Sequence, residues 1–391
     1  MRIGLISSGT ITDRIPPIFG GGIQKYLWNL GRELSRLGHE VHVFTQQQPF
    51  QLKEEILNDI YIHRISRVLN SKILVTIIFG FKTLLKILKI QKTQGAFDVI
   101  HAQSRISGFI IRSFLRRIPF VFTAHNWDIA LTSTGSVVSP FPYAILRLIE
   151  KRVYSQCNKI IVLTNFFQRI LVNRYKISST KILIVPNMIN IYKNKEELNA
   201  LHPLIIKIAS KPFLIFIGRL EREKGCEYLL NAFRIIVKQD RNLQLVMVGN
   251  GSLKSVLKQM EIRLNLTNQV HILGNLHETQ LLYLLKRAKA LILPSQFEIM
   301  PTVILEAWAA GCPVIVREFY GVQALIRHKH TGLLFQKNQF FRLPLIVHEL
   351  LNNRNLRQSL IQNSKMQVKF NYNSARVAEK ILDIYKNMLN R

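Results

Sequence analysis

Residues 289–318, KALILPSQFEIMPTVILEAWAAGCPVIVRE, hold a complete strand–loop–helix–strand unit. KALILPS is a short apolar run of strand type and QFEIM is its exit. Pro301 suits the first turn of a helix, because its missing N–H is one that a helix start leaves unpaired anyway. CPVIVRE then begins a second apolar run. Continuous rather than alternating runs mark strands covered on both faces, as in a parallel sheet with crossover helices.

Two acids punctuate this unit. Glu298 stays in the exit loop, and at about 1.5 Å per residue Glu306 falls roughly 7 Å along the helix. Carboxylates so placed can accept hydrogen bonds from hydroxyls at two parts of one ligand. Between them lie the Thr302 hydroxyl and the backbone N–H groups around Met300 to Val303, where phosphates fit. An ordinary helix entry, with an acid favouring the helix dipole, leaves Glu298 unexplained.

Outward from this unit the pattern repeats. FLIFIGRL, LQLVMVGNG, QVHILGN and TGLLF continue it in the second half. RIGLISS, HEVHVFT, FDVIHAQ, PFVFTAH, KIIVLTN and KILIVPN carry it through the first. After RIGLISS, Ile23, Tyr26, Leu27, Leu30, Leu34 and Leu37 recur at helical spacing, and Gly38 is a natural stop. The alternation fades over NMINIYKNKEELNALHPLIIKIASKP, which is polar and ends in proline. The expected fold class is therefore α/β, with two Rossmann-like, doubly wound parallel-sheet domains joined near 187–211 and facing a cleft. Ligands in such sheets bind beyond the carboxyl ends of the strands. A length of 391 residues suits two such cores.

Charge narrows the partners. The chain has 54 Lys and Arg against 23 Asp and Glu, a formal net charge of +31. That excess favours phosphate-bearing ligands, nucleic acid or an acidic membrane surface. Cys157, Cys226 and Cys312 are far apart and form neither a disulfide framework nor a zinc pattern, which points to a reducing, cytoplasmic setting. MRIGLISSGT is too short an apolar run for a secretory signal and reads as a first strand. Nothing in the sequence matches a nucleic-acid-binding module.

Residues 73–90, ILVTIIFGFKTLLKILKI, are interrupted by Lys82, Lys86 and Lys89, so the run is too short to span a bilayer. Those lysines share one helix face, with Leu84, Leu85, Ile87 and Leu88 on others. Two readings stand for 72–92: a basic amphipathic helix on an anionic leaflet, or a domain helix with solvated lysines. From Arg64 to Arg117 there are eleven Lys and Arg and one acid, Asp98, so the surroundings favour an anionic surface.

Three further motifs sit where strands give way to helices. FGGGIQKYLWNL places Gly21 and Gly22 at a helix start, where backbone can approach an anionic ligand, phosphate above all, or merely turn tightly. The spacing is not GxGxxG. GRLEREKGCEYLL puts Arg219 and Lys224 after a strand, and a guanidinium with a nearby ammonium suits a diphosphate. FTAHNWD puts His125 at a strand end beside Asn126 and Asp128. Such a histidine can bond a sugar hydroxyl or a phosphate, or be structural.

Taken in order, these segments resemble the group 1 (family 4) retaining glycosyltransferases of the two-Rossmann GT-B fold. FGGGIQKYLWNLGRELSRLGHEVHVFT is similar to that family's first strand–helix–strand unit, TAHN to its histidine motif and IVPN to the end of its first domain. FIGRLEREKG resembles its phosphate motif, and PSQFEIMPTVILEAWAAGCPVI its E-x7-E signature. NYNSARVAEKILDIYKNML resembles the C-terminal helix that crosses back onto the first domain. Lys289, Ile299 and Ala324 depart from residues common in the family (Asp, Gly and Glu).

The resemblance implies an acceptor-side domain at 1–200, a nucleotide-sugar-binding domain at 201–371, and a helix at 372–391 packed back on the first. It implies that Gly21 and Gly22 approach the donor diphosphate while Arg219 and Lys224 neutralise it. Glu306 would bind ribose hydroxyls, Glu298 the transferred sugar, and His125 the sugar near the reacting centre. Met300, Pro301 and Thr302 would contribute to the donor site, and Gly249, Gly251 and Ile272 would flank the base. No metal or other cofactor is expected. The implied reaction moves a sugar from a UDP- or GDP-sugar to a glycan or lipid-linked acceptor, in cell-envelope polysaccharide or glycolipid synthesis, at the cytoplasmic membrane face. Other GT-B chemistries, epimerase or phosphorylase type, are the first alternative. A non-catalytic membrane or nucleic-acid binder is the second, although it would leave the intact Gly22, Arg219, Lys224, Glu298 and Glu306 without a purpose.

Overall fold

A computed structural model describes residues 1–10, 13–17, 21–66, 72–125, 140–190, 201–336 and 341–390, with backbone alone at 72, 73 and 140–143. Asn126, Asp128 and the boundary expected at residue 200 lie outside the described residues. The chain forms two compact units, Met1–Met188 with Ser374–Arg391, and Ile189–Asn373.

In the first unit β1 (Arg2–Ile6), α1 (Gly22–Arg36), β2 (Glu40–Gln46), β3 (Glu54–Leu57), β4 (Ile60–Ile65), α2 (Lys72–Gln94), β5 (Val99–Ala102), α3 (Arg105–Phe114), β6 (Phe120–Ala124), α4 (Pro140–Gln156), β7 (Lys159–Val162), α5 (Asn165–Tyr175) and β8 (Ile182–Ile184) follow in order. The sheet order is β3-β4-β2-β1-β5-β6-β7-β8, parallel except for β3 against β4. Right-handed crossovers place α1 on one face and α2 to α5 on the other. Ile3 and Leu5 face a core shared with Leu27, Leu30 and Leu34 of α1. The β3–β4 hairpin was not expected from the apolar runs. Its signal is the pair Asn58 and Asp59, both at positive φ, which suit a two-residue turn between strands.

The second unit runs α6 (Pro203–Ala209), β9 (Phe213–Ile217), α7 (Cys226–Gln239), β10 (Gln244–Val248), α8 (Lys254–Arg263), β11 (Val270–Leu273), α9 (Glu278–Arg287), β12 (Ala290–Leu293), α10 (Thr302–Ala310), β13 (Val314–Arg317), β14 (Leu333–Phe335), α11 (Arg342–Asn352) and α12 (Arg354–Gln367). Its six strands are all parallel in the order β11-β10-β9-β12-β13-β14. Helix α6 occupies part of the segment where the alternation fades. Its apolar Ile205 and Ile208 are buried at helical spacing, and Pro203 opens it. A π-helical turn, Val368–Tyr372, leads to α13 (Ser374–Leu389), which belongs to the first unit and packs along α1. Tyr385 of α13 is fully buried there.

The lysines of α2 do not form a common free face. Lys82 Nζ donates to Ser66 O at 3.3 Å, and Lys86 is ion-paired with Glu54 of β3. Lys89 is exposed, while Leu84 and Ile87 are buried in the first unit. Among the described residues no helix is long and apolar enough to cross a membrane.

Candidate functional site

In the second sheet the chain first winds outward from β9 through β10 to β11, then returns to β12 and winds the other way. The reversal lies between β9 and β12, and the loops leaving those two strands diverge there. This is where the chemically suggestive residues gather. Gly225, at φ +71, caps α7 and packs against the end of β12; a Cβ on it would lie 2.5 Å from Pro294 O. That close approach lets Gln296 N donate to Glu223 O at 2.8 Å. The two loops are thus tied backbone to backbone.

Their side chains then meet. Lys224 Nζ donates to Glu298 Oε1 in an ion pair, and Ser295 Oγ donates to the same oxygen at 3.1 Å. Lys224 is only 7% exposed. Poor hydration strengthens the attraction and makes an unpartnered charge here costly. Arg219 lies on the more open side and bonds Glu223 Oε1, four residues on, at 2.8 Å. So the structure brings Lys224 and Glu298 together directly, whereas the sequence reading treats them as groups serving different parts of a ligand.

The segment after Glu298 is built as a helix start. Pro301 is the N-cap residue of α10 rather than its first helical residue, and it offers no side-chain cap. The helix begins at Thr302, and the first intrahelical pairing of its N-terminal turn is Ile304 N to Pro301 O at 3.2 Å. Met300 and Glu306 are each 7% exposed, and Glu306 stands one turn into the helix. The spacing of the two acids therefore follows from a loop position and a helical position, as their sequence separation suggests.

Gly249 and Gly251 have a structural explanation. A Cβ on Gly249 would fall 2.0 Å from Gly218 O, and one on Gly251 would fall 2.3 Å from Leu220 O. Their small size lets the loop after β10 lie against the loop after β9. Leu220 N donates to Asn250 O at 2.9 Å, and Ser252 Oγ to Glu221 Oε2 at 2.5 Å. Gly249 N also reaches Gly274 O at 3.2 Å, which places the half-buried Ile272 strand beside the same loop. Arg317, ending β13 and largely buried near Tyr228, is a cation the sequence reading passed over. Its position at the end of VIVR was the available signal.

In the first sheet the winding reverses between β1 and β5. The β1 exit is organised by Asp13, a buried carboxylate that the sequence reading missed. It accepts from Ser7 Oγ, from Gly9 N at 2.9 Å and from Gln24 Nε2 at 3.1 Å. Burial raises its pKa above the usual carboxylate value, while those hydrogen bonds oppose the rise. Gln24 belongs to the first turn of α1, so Asp13 joins the β1 exit to the helix start. Gly21, at φ +74, is the N-cap, and a Cβ there would lie 2.2 Å from Gln24 Oε1. Gly22 opens the helix without a side-chain cap.

His125 follows β6. Its Nε2 is 2.6 Å from Gln103 Oε1, and its ring meets Tyr26 edge-on at 5.4 Å. Burial lowers its pKa to about 3, so the ring is neutral at ordinary pH. Beneath it, His101 lies between Tyr385 Oη and Thr123 Oγ1, each at 2.6 Å, and is also lowered to about 3 by burial. Among the described residues no group of three or more His, Cys, Asp or Glu forms a metal-binding cluster.

Comparisons with known proteins agree with the architecture. Residues 20–193 match the family described as Glycosyltransferase Family 4, and residues 205–367 match Glycosyl transferases group 1. The chain is 26% identical over 385 residues to an uncharacterized glycosyltransferase of Methanocaldococcus jannaschii, covering 96% of this chain and 97% of that protein. It is 24% identical over 324 residues to the UDP-Gal:alpha-D-GlcNAc-diphosphoundecaprenol alpha-1,3-galactosyltransferase of Escherichia coli, covering 81% of each. Its structure is similar to sucrose-phosphate synthase from Thermosynechococcus elongatus, with a TM-score of 0.83 at 21% identity, covering 100% of this chain and 99% of that one. The fold is GT-B.

Proposed function

With both halves matched in order, the chain belongs to the group 1/family 4 glycosyltransferases, and we propose that it transfers a hexosyl group, with retention and without a metal, from a UDP- or GDP-sugar to a glycan or lipid-linked acceptor. The observation that carries this reading is the Lys224–Glu298 pair at the switch point of the second sheet. An ammonium and a carboxylate side by side offer a cation to phosphate and an acceptor to sugar hydroxyls.

In this reading Arg219 and Lys224 neutralise the donor diphosphate, and the amides at the start of α10 add to that field. Glu298 accepts from hydroxyls of the transferred sugar and Glu306 from the ribose. Met300, Pro301 and Thr302 shape the turn, and Gly249, Gly251 and Ile272 border the base. Within the first unit, Gly21 and Gly22 offer a helix start to an anion and His125 a hydrogen bond to a hydroxyl, and that unit takes the acceptor. The bond from the anomeric carbon to the diphosphate oxygen breaks while the acceptor oxygen bonds on the same face. The acceptor's proton passes to the leaving phosphate oxygen. The protein's contribution is charge stabilisation and orientation rather than a covalent nucleophile.

The name of the Escherichia coli relative contains a UDP-sugar and a lipid-linked acceptor, which supports an envelope glycan role. The test is a thermal-shift screen against UDP-, GDP- and ADP-sugars, followed by turnover with and without EDTA. Absence of stabilisation by any of them, with no sugar transfer, would overturn the reading. Loss of turnover in EDTA would overturn its metal-free part.

A second observation favours action at an anionic lipid surface. Leu74, Phe81, Leu85 and Leu88 are exposed at steps of seven, four and three along α2, so they form one stripe. Neighbouring α3 and α4 add exposed Phe114, Ile145 and Leu148. Lys89 and Lys92 of α2, Lys151 and Arg152 of α4, and Arg116 and Arg117 of the turn after α3 are exposed. Apolar side chains among cations suit insertion into an acidic headgroup layer.

A further inference from the structure

Gln103 is the first residue beyond β5 and His125 the first beyond β6, on adjacent strands of the first sheet. The former lies beside the β1–β5 reversal, where ligands of such sheets bind. Its backbone is held by Gln103 N donating to Ile6 O at 3.0 Å. Its side chain is 5% exposed, with Oε1 only 2.6 Å from His125 Nε2. The other end of the amide, Nε2, is buried and has no hydrogen-bond partner among the described residues.

Two consequences follow from hydrogen-bond chemistry. With Oε1 turned to the ring, and an amide oxygen able only to accept, His125 Nε2 carries the ring's proton. The neutral ring then has Nδ1 as its acceptor. An unpaired buried amide N–H is costly, and a ligand oxygen is a partner that would satisfy it. A hydroxyl both donates and accepts, so a ligand carrying several can serve both groups, which face opposite sides of the ring.

We propose that Gln103 fixes the tautomer of His125 and that each residue binds a ligand hydroxyl of its own, Gln103 Nε2 as donor on one side of the ring and His125 Nδ1 as acceptor on the other. Gln103 is thereby a positioning residue for His125 and a specificity residue for its ligand. The sugar identity of those hydroxyls rests on the glycosyltransferase reading; the tautomer does not.

The test uses the full chain labelled with 15N at histidine, with His125→Asn to assign its signals. Long-range 1H–15N spectra should show a neutral ring protonated at Nε2. Gln103→Met removes both amide ends at nearly constant volume and should weaken that preference roughly three- to tenfold, the net worth of one hydrogen bond. Gln103→Glu keeps the acceptor, adds charge and removes the donor. It should raise the His125 pKa by about one unit or more. An Nδ1-protonated ring in the parent protein, or an unmoved titration in Gln103→Glu, would overturn the positioning role.

Turnover separates the donor role. With a substrate pair from the nucleotide-sugar screen, Gln103→Glu and Gln103→Met should both lower kcat/KM about tenfold, as expected for a lost contact of this kind. Parent-like kcat/KM in Gln103→Glu would overturn the hydroxyl donor. No turnover by the parent protein would instead overturn the glycosyltransferase reading, and the hydroxyl-binding half with it. The spectra still decide the tautomer in that case.

Discussion

Lys224 and Glu298, 74 residues apart, form an ion pair across the winding reversal of the second sheet. The pair exists because Gly225 lets the loop after β9 touch Pro294 at the end of β12. Adjacent strand ends, rather than nearness in sequence, create it.

Its removal should be felt in stability and turnover alike. Lys224→Met and Glu298→Gln each leave a poorly hydrated partner, so each should cost about 2–3 kcal/mol. The double variant should lose less than the two losses combined, with a coupling of roughly 1–3 kcal/mol in a denaturant cycle. Strict additivity would show that the pair does not interact. Sugar transfer should fall at least about a hundredfold in either single variant, the scale of a lost charge stabiliser.

The glycines of the second unit separate packing from tolerance. Gly251→Ala drives a Cβ into the Leu220 carbonyl and should destabilise that unit by about 2 kcal/mol or more. Gly274→Ala meets nothing closer than 3.7 Å and should change stability by less than about 1 kcal/mol. Equal melting temperatures for the two variants would contradict the loop packing.

Acid should weaken the fold through its buried histidines. His63 is lowered to about 4, chiefly by burial and then by neighbouring His42, and His101 and His125 to about 3 by burial. These rings stay neutral when folded but take up protons in the unfolded chain below about pH 6.5. Their stabilising contribution is thus complete above pH 6.5 and is lost as the pH falls toward 4 and then 3. Glu40 and Glu54, lowered in the folded chain, act in the same direction, and the raised Asp13 opposes them. Urea midpoints at pH 7.5, 6 and 5 should fall in that order; a constant or rising midpoint would refute the assignment.

Tyr385→Phe removes the hydroxyl that meets His101 Nδ1. A buried ring nitrogen loses its partner, so stability should drop by roughly 1–2 kcal/mol. Hydrogen exchange along α13 should speed up, and unchanged protection would argue that the helix is held by its apolar face alone.

For lipid binding, Phe81→Asp with Leu85→Glu should abolish sedimentation with vesicles containing anionic lipid. Lys82→Gln with Lys86→Gln should change it little, since those amines are engaged with Ser66 and Glu54. The reverse result would restore the lysines as the anchor.

Much of the architecture was legible in one dimension. Continuous β-rich runs at regular intervals imply buried parallel strands, because a strand covered on both faces has no polar side to show. The hairpin at Asn58–Asp59 escaped because β3 is an edge strand, with exposed Glu54 and Ile56 alternating with half-buried Glu55 and Leu57, rather than a continuous apolar run. His125 stood out by following a strand; Gln103 occupies the equivalent place after FDVIHA and carried the same signal. Asp13 had none, since its partners Ser7, Gly9 and Gln24 become neighbours only when β1 and α1 are packed.

By itself, then, the sequence determined the α/β class, the order of strands and helices outside the β3–β4 hairpin, and the short list of charged residues at strand ends, since periodicity and punctuation are local properties of the chain. Only the tertiary structure decided which of those residues meet. Strand order is set by long-range packing of apolar faces, and it placed β12 beside β9 and β5 beside β6. That order put Glu298 on Lys224 and Gln103 on His125, and it took Lys82 and Lys86 away from the face they were expected to share.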